Sequence, residues 1–171
     1  MKKSITLTAL SCLILFLFSN CAGNKSIVTG SKVLDEKIEK LFVYIPLKTN
    51  KSYSKKIGQE LANKLTPMGL DNEVFFREEL DLINEKEIQR KINTFGATHI
   101  MSITTMGSSV EKAYSFEQKS SLSYEIIISN AQTGKQIWNG GILFMVGLNG
   151  SREIGPALDQ LIKQLKRDGI I

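Results

Sequence analysis

Apolar runs and alternating apolar and polar positions along the chain predict five strands. Residues 41–45 are continuously apolar and rich in β-branched and aromatic side chains, which is typical of a buried central strand. Residues 121–129 alternate apolar with polar side chains, and residues 136–146 return after the Thr133-Gly134 turn, which predicts a hairpin. Residues 74–76 and 98–110 predict two more strands, the second with a bulge or twist near Gly107.

Three segments have helical patterns. The first begins near Ser54 and carries apolar residues at four-residue spacing. The second opens at Asn84, with Glu87 three places on as in a capping box, and closes at Gly96. Pro156 suits the first turn of the third. The order β-α-β-α-β-β-β-α predicts an α/β (α+β) fold, a mixed sheet of about five strands with helices packed on it.

The first twenty residues have the pattern of a secretory signal peptide. Lys2 and Lys3 precede an almost unbroken apolar run over residues 5–18, and polar residues end it. The run is shorter than the roughly 20 residues that a membrane-spanning helix needs. We therefore expect residues 1–20 to be a signal peptide, not part of the fold.

Cys21 stands directly after this segment, before small and polar residues. The segment 18–21, Phe-Ser-Asn-Cys, resembles the lipobox of bacterial lipoproteins, although that family prefers Leu at the first place and Gly or Ala before the cysteine. The resemblance implies cleavage before Cys21 and three acyl chains on its thiol and new amino group, enough to hold the protein on a membrane. Ala22, where an aspartate would signal inner-membrane retention, resembles the sorting preference for the outer membrane.

The alternative interpretation is an ordinary secreted protein. Cys12 leaves with the signal peptide, so Cys21 would then remain as a single unpaired thiol in an oxidising compartment. A lone cysteine at the signal boundary has a role if it is acylated, and we therefore favour lipidation.

The remaining chain has the length and charge of one ordinary globular domain. We expect a flexible tether over residues 21–36, which contain Asn24, Thr29 and Gly30, and a single periplasmic domain over residues 37–171. The formal charge of +5 includes Lys2 and Lys3, so the mature chain carries about +3. This excess is far below that of a dedicated nucleic-acid binder, and we expect no nucleic-acid partner.

Three segments of the predicted domain resemble periplasmic accessory lipoproteins with folds like the TolB amino-terminal domain and the curli-secretion lipoprotein. Residues 96–100, Gly-Ala-Thr-His-Ile, are similar to a Gly-Ala-Asp-Tyr-hydrophobic step that enters a long strand. Residues 130–138 are similar to an Asp-x-x-Thr-Gly-Lys-x-x-Trp hairpin, and residues 165–171 to a closing helix. The resemblance implies a fold more than a role.

The chain lacks the residue sets of familiar catalytic and metal sites. His99 is its single histidine, so a serine nucleophile and a metal site would compete for it. There is no G-x-S-x-G, G-x-G-x-x-G or Walker motif. The acidic residues Glu73, Glu78, Glu79 and Asp81 lack the spacing of a calcium loop and are typical of a solvated charge run. We expect no enzyme activity, no cofactor and no metal.

Lysines crowd the connection after the first predicted strand and the first turn of its helix. We call Lys48, Lys51, Lys55 and Lys56 the lysine cluster. Its cations oppose the dipole of the helix, so a solvated surface is one interpretation. The other is an anion site, because the carboxyl ends of parallel strands beside a helix start often receive acidic ligands. An acidic protein, peptidoglycan carboxylates or anionic lipid headgroups would suit it.

Lys112, Tyr114 and Phe116 lie in an otherwise polar connection between two strands. Alternation places both aromatic rings on one face, where they either pack back on the sheet or anchor a partner. The hypothesis we favour is a non-catalytic binding or assembly module of the cell envelope, held by acyl chains on the periplasmic face of the outer membrane. Its partner would be an envelope protein or an identical copy. The alternatives are a binder of anionic glycans or lipid headgroups and, least favoured, an enzyme that uses His99.

Overall fold

In the computed structural model, which describes residues 26–78, 84–111, 119–146 and 154–171, strands and helices follow the order β-β-α-β-α-β-β-β-α. The strands are β1 (Ile27–Lys32), β2 (Lys40–Leu47), β3 (Asp71–Glu78), β4 (His99–Glu111), β5 (Lys119–Asn130) and β6 (Gln136–Val146). The helices are α1 (Lys51–Leu65), α2 (Glu85–Phe95) and α3 (Ile154–Arg167), and a 3₁₀ turn (Thr66–Met68) follows α1.

All six strands form one mixed sheet in the order β1-β6-β5-β4-β2-β3. β2 runs parallel to both β3 and β4, since a helix crosses over between each consecutive pair. The pairs β4–β5, β5–β6 and β6–β1 are antiparallel. The predicted mixed sheet with packed helices is therefore confirmed.

The main core lies between one face of this sheet and the helices α1 and α3. Alternate residues of β2, among them Leu41, Val43 and Ile45, are fully buried against Leu61 of α1 and Leu161 of α3. The opposite face of β2 receives the shorter α2, where the rings of Phe42 and Phe95 lie 6.3 Å apart. None of the described helices is both long enough and apolar enough to cross a lipid bilayer.

β1 corrects the sequence prediction, because residues 27–32 belong to the segment expected to be a flexible tether. Six consecutive residues of β1 pair with β6, from Ile27 opposite Leu143 to Lys32 opposite Trp138, so the sheet has six strands and not about five. β1 is an edge strand that is buried only in part, so it tolerates polar residues and Gly30. Its apolar and polar residues alternate too weakly and over too short a stretch to be distinguished from a linker.

Several local predictions are confirmed. Asn84 caps α2 by accepting a hydrogen bond from the Glu87 backbone N–H at 3.0 Å, and Gly96 ends that helix with a φ of 71°. The bulge in β4 lies between Thr105 and Gly107. α1 starts at Lys51, three residues before the predicted Ser54.

Candidate functional site

The lysine cluster lies at the carboxyl ends of the parallel strands β2 and β3. Lys48 directly follows β2, and Lys51 is the first residue of α1. Leu47, the last residue of β2, is in register with Glu78, the last residue of β3. The crossover from β2 to α1 therefore places the lysines beside the end of β3.

Glu78 is the residue that the sequence did not connect with the lysine cluster. Its carboxylate accepts hydrogen bonds from Lys55 Nζ at 2.8 Å and from Lys51 Nζ at 3.1 Å. The hydrogen bond from Lys55, followed by that from Lys51, holds the pKa of Glu78 below its usual value. α1 has no acidic residue in its own first turn, so Glu78 supplies from β3 the negative charge that favours a helix start.

Lys48 and Lys56 make no ion pair with any residue in the described ranges, so Glu78 compensates only part of the cluster. Lys48 lines a cavity of about 380 Å³ together with Tyr44, Arg77, Thr104 and the same Glu78. Lys56 is exposed on α1. The lysine cluster therefore forms a positively charged surface, on which Lys51 and Lys55 are already paired with the Glu78 carboxylate.

A second basic groove, which the sequence analysis did not single out, lies beside α2. It encloses about 640 Å³ and is lined by Lys40, Glu73, Arg90, Lys91, Thr94 and Phe95. Each of its cations has a partner: Lys40 pairs with Asp71 at 3.1 Å, Arg90 pairs with Glu87, and Lys91 lies over the Phe75 ring. Because these charges are engaged within the fold, the groove is a weaker candidate for an anion site than Lys48 and Lys56.

His99 is a buried sheet residue with only 4% of its surface exposed. Its Nδ1 lies 3.0 Å from the Thr98 hydroxyl and its Nε2 3.3 Å from Glu36, an order that resembles a hydroxyl–imidazole–carboxylate triad. The Thr98 hydroxyl, however, donates to the Lys40 carbonyl and accepts from the Lys40 N–H, each at 3.0 Å. These two hydrogen bonds hold the start of β4 to the start of β2. The Thr98 hydroxyl is therefore engaged in a structural contact between strands.

Glu36 connects this histidine to the β5–β6 turn. Its carboxylate also accepts a hydrogen bond from the Asn130 side chain at 2.9 Å, and this bond, more than the one from His99, lowers the pKa of Glu36 below its ordinary value. The contacts hold the segment between β1 and β2 against the sheet.

Other predicted site residues lie outside the described ranges. These are Cys21 and the connection that carries Lys112, Tyr114 and Phe116. Among the described residues, no three His, Cys, Asp or Glu side chains are grouped so that they could hold a metal ion.

Exposed large apolar side chains concentrate along and just after β1. Of the five in the described ranges, three are Ile27, Val33 and Leu34, exposed by 48%, 51% and 38%. We call these three residues the β1 patch. Ile27 begins β1, and Val33 and Leu34 follow its last residue, so the three side chains flank an edge strand whose outer backbone groups can pair with another strand.

Comparison with solved structures identifies proteins of the same fold. The PelC dodecamer from Paraburkholderia phytofirmans superposes with a TM-score of 0.54 at 13% identity, over 86% of this chain and 99% of that chain. A single-residue variant of it gives 0.57 at 10% identity, over 85% and 98%. The lipoprotein GNA1162 from Neisseria meningitidis gives 0.48 at 16% identity, over 75% and 98%. No family model and no curated protein matches the sequence. The similarity to PelC therefore concerns the fold.

Proposed function

We propose that this chain is a lipid-anchored, non-catalytic assembly module of the bacterial cell envelope that associates with further copies of itself. The charged start, the apolar run over residues 5–18 and the cysteine at its end support the anchor. Ala22 after Cys21 favours the periplasmic face of the outer membrane. Mass spectrometry of the mature chain should find acyl chains on Cys21, and a free thiol there would contradict the anchor.

The observation that carries self-association is the β1 patch on an open sheet edge. Natural proteins usually cover or block such edges, because the unpaired backbone groups of an exposed edge strand pair readily with another chain. PelC, which shares the fold over nearly its whole length, forms a dodecamer. The two observations together favour an identical copy as the partner of this edge.

The test compares two variants of the full chain in detergent by native mass spectrometry. Val33→Ser combined with Leu34→Ser should lower the oligomeric state, since both side chains are exposed and their removal leaves the core intact. Met106→Ser is the matched control, because Met106 is also exposed but lies on β4, which β5 and β6 separate from β1. A monomeric wild type, or equal effects of the two variants, would reject the proposed assembly.

The second candidate function is binding of an anionic glycan or lipid headgroup at the lysine cluster. A discrete anion between Lys51 and Lys55 would have to displace Glu78 from both. Lys48 and Lys56 favour instead a diffuse, salt-sensitive attraction to a charged surface. Binding that persists in high salt would speak against this candidate.

A further inference from the structure

The first residue of β1 lies at the same end of the sheet as Lys48 of the lysine cluster. Ile27 is in register with Leu143 of β6, Leu143 with Ser123 of β5, and Ser123 with Gly107 of β4, so these residues form one row across four strands. Thr104, three residues before Gly107, lines the same cavity as Lys48. We call this the anchor-side end of the domain.

The chain between Cys21 and Ile27 is short. A fully extended backbone covers about 20 Å between these two residues, since each step spans about 3.3–3.6 Å. The whole segment 21–36, taken as a flexible tether, would have reached about 50 Å. The docking of β1 therefore shortens the maximum reach of the tether from about 50 Å to about 20 Å.

β1 is held firmly enough to transmit this restraint. Six residues pair with β6, and Gly30 lies so close to the Trp138 indole that a side chain there would overlap it. β4 and β5 continue past the Gly107 row to the pair Glu111 and Lys119, about 13 Å further in the same direction. An acylated Cys21 would thus keep the anchor-side end close to the bilayer.

We infer that the domain rests on the membrane by its anchor-side end, with Lys48 on the side of the domain turned toward anionic lipid headgroups. The inference rests on the proposed lipid attachment at Cys21. Each lysine near an anionic surface raises affinity about fivefold. Met106, exposed by 65% beside Gly107, adds an apolar side chain at this end.

Charge alone does not select this orientation. Lys163 and Lys166 are exposed near the carboxyl end of α3, and Asp168 just beyond them bonds to Trp138, which is in register with the last residue of β1. The opposite end of the domain therefore also carries exposed lysines. The short connection to Cys21 is what selects the end that carries Lys48.

The test uses the full acylated chain in phosphatidylglycerol vesicles that contain lipids brominated near the headgroup. Met106→Trp places a fluorophore at the anchor-side end, and Met68→Trp places one at the opposite end. The native Trp138 is fully buried and gives a constant background. Quenching should be at least about twofold stronger for Met106→Trp. Equal quenching, or stronger quenching of Met68→Trp, would overturn the orientation.

The charge arm adds Lys48→Gln to Met106→Trp, with Lys163→Gln as the matched control. Only Lys48→Gln should weaken the quenching in phosphatidylglycerol vesicles, and neither change should alter it in phosphatidylcholine vesicles. Equal effects of the two changes, or no effect of either, would overturn the role of Lys48. A chain that does not float with vesicles refutes the anchor and this inference together, whereas flotation with equal quenching refutes the inference alone.

Discussion

The indole of Trp138 lies directly against the Cα of Gly30. A Cβ atom at Gly30 would lie 2.0 Å from Trp138 Cζ2 and 2.8 Å from Cε2, far inside any real contact. From β6, Gly140 makes room for the same ring, since a Cβ there would lie 2.4 Å from Cη2. The two glycines allow the edge strand to close over a fully buried tryptophan.

The first prediction is that Gly30→Ala destabilises the domain. The added methyl must move either β1 or an indole that is buried and hydrogen-bonded, and overpacking of this kind costs about 1–3 kcal/mol. Urea unfolding of the full chain measures the loss. Gly107→Ala is the matched control, because nothing lies within 4 Å of a Cβ at Gly107, and it should change stability by less than about 0.5 kcal/mol. Equal stabilities of the two variants would mean that β1 does not dock over Trp138.

The second prediction concerns the carboxylate that fixes this ring. Trp138 Nε1 donates to Asp168 at 2.8 Å, and Gln164 donates to both oxygens of the same carboxylate. Asp168→Ala leaves the buried N–H without its acceptor and should cost about 1–3 kcal/mol, lowering the Tm by several degrees. Asp168→Asn keeps an acceptor and should cost less.

Asp159→Ala is the control for this pair of variants. Asp159 accepts from Lys64 at 2.6 Å in a largely exposed ion pair, so its loss should matter little. If Asp168→Ala were no more destabilising than Asp159→Ala in thermal unfolding, the hydrogen bond would not hold the indole.

The third prediction is a pH dependence that comes from Glu36. Hydrogen bonds from Asn130 and then His99 lower its pKa below the ordinary 4.5, so the folded state binds the proton more weakly than the unfolded state. The stability from this group is complete above about pH 4.5 and is lost as the pH falls through the lower folded value. Glu36→Gln should therefore lose less stability than the wild type on acidification.

Urea midpoints measured between about pH 7 and about pH 3 test this difference. Glu39→Gln, a change at a neighbouring exposed carboxylate, is the control and should follow the wild type. Parallel curves for the wild type and Glu36→Gln would show that Asn130 and His99 do not stabilise the charged carboxylate.

The fourth prediction keeps the sequence-based hypothesis for Tyr114 and Phe116. If these rings anchor a partner, Tyr114→Ser with Phe116→Ser should remove cross-linked partners in native cells and leave the unfolding midpoint unchanged. Mass spectrometry of the cross-linked products provides the measurement. Unchanged recovery of partners would exclude the rings as an interface, and a large loss of stability would indicate that they pack on the sheet.

Local patterns in the sequence were sufficient for most of the sheet and all three helices. Asn84 and Glu87 define a helix start because they are three residues apart, and Gly96 defines its end because its own backbone takes a positive φ. The apolar run of β2 predicts burial without reference to any other part of the chain. These features depend on near neighbours, which a single sequence displays directly.

Only the tertiary structure revealed β1 and the partner of the lysine cluster. Ser31 meets Asn139 across 108 residues, and Lys51 meets Glu78 across 27. In the sequence Gly30 is typical of a flexible linker, and Glu78 belongs to a run of surface charges. Each takes its role from a distant residue, Trp138 in one case and Lys51 with Lys55 in the other. An edge strand buried on part of one face leaves too weak an alternation to be recognised, so the contacts across the sheet decide where the flexible chain ends and the domain begins.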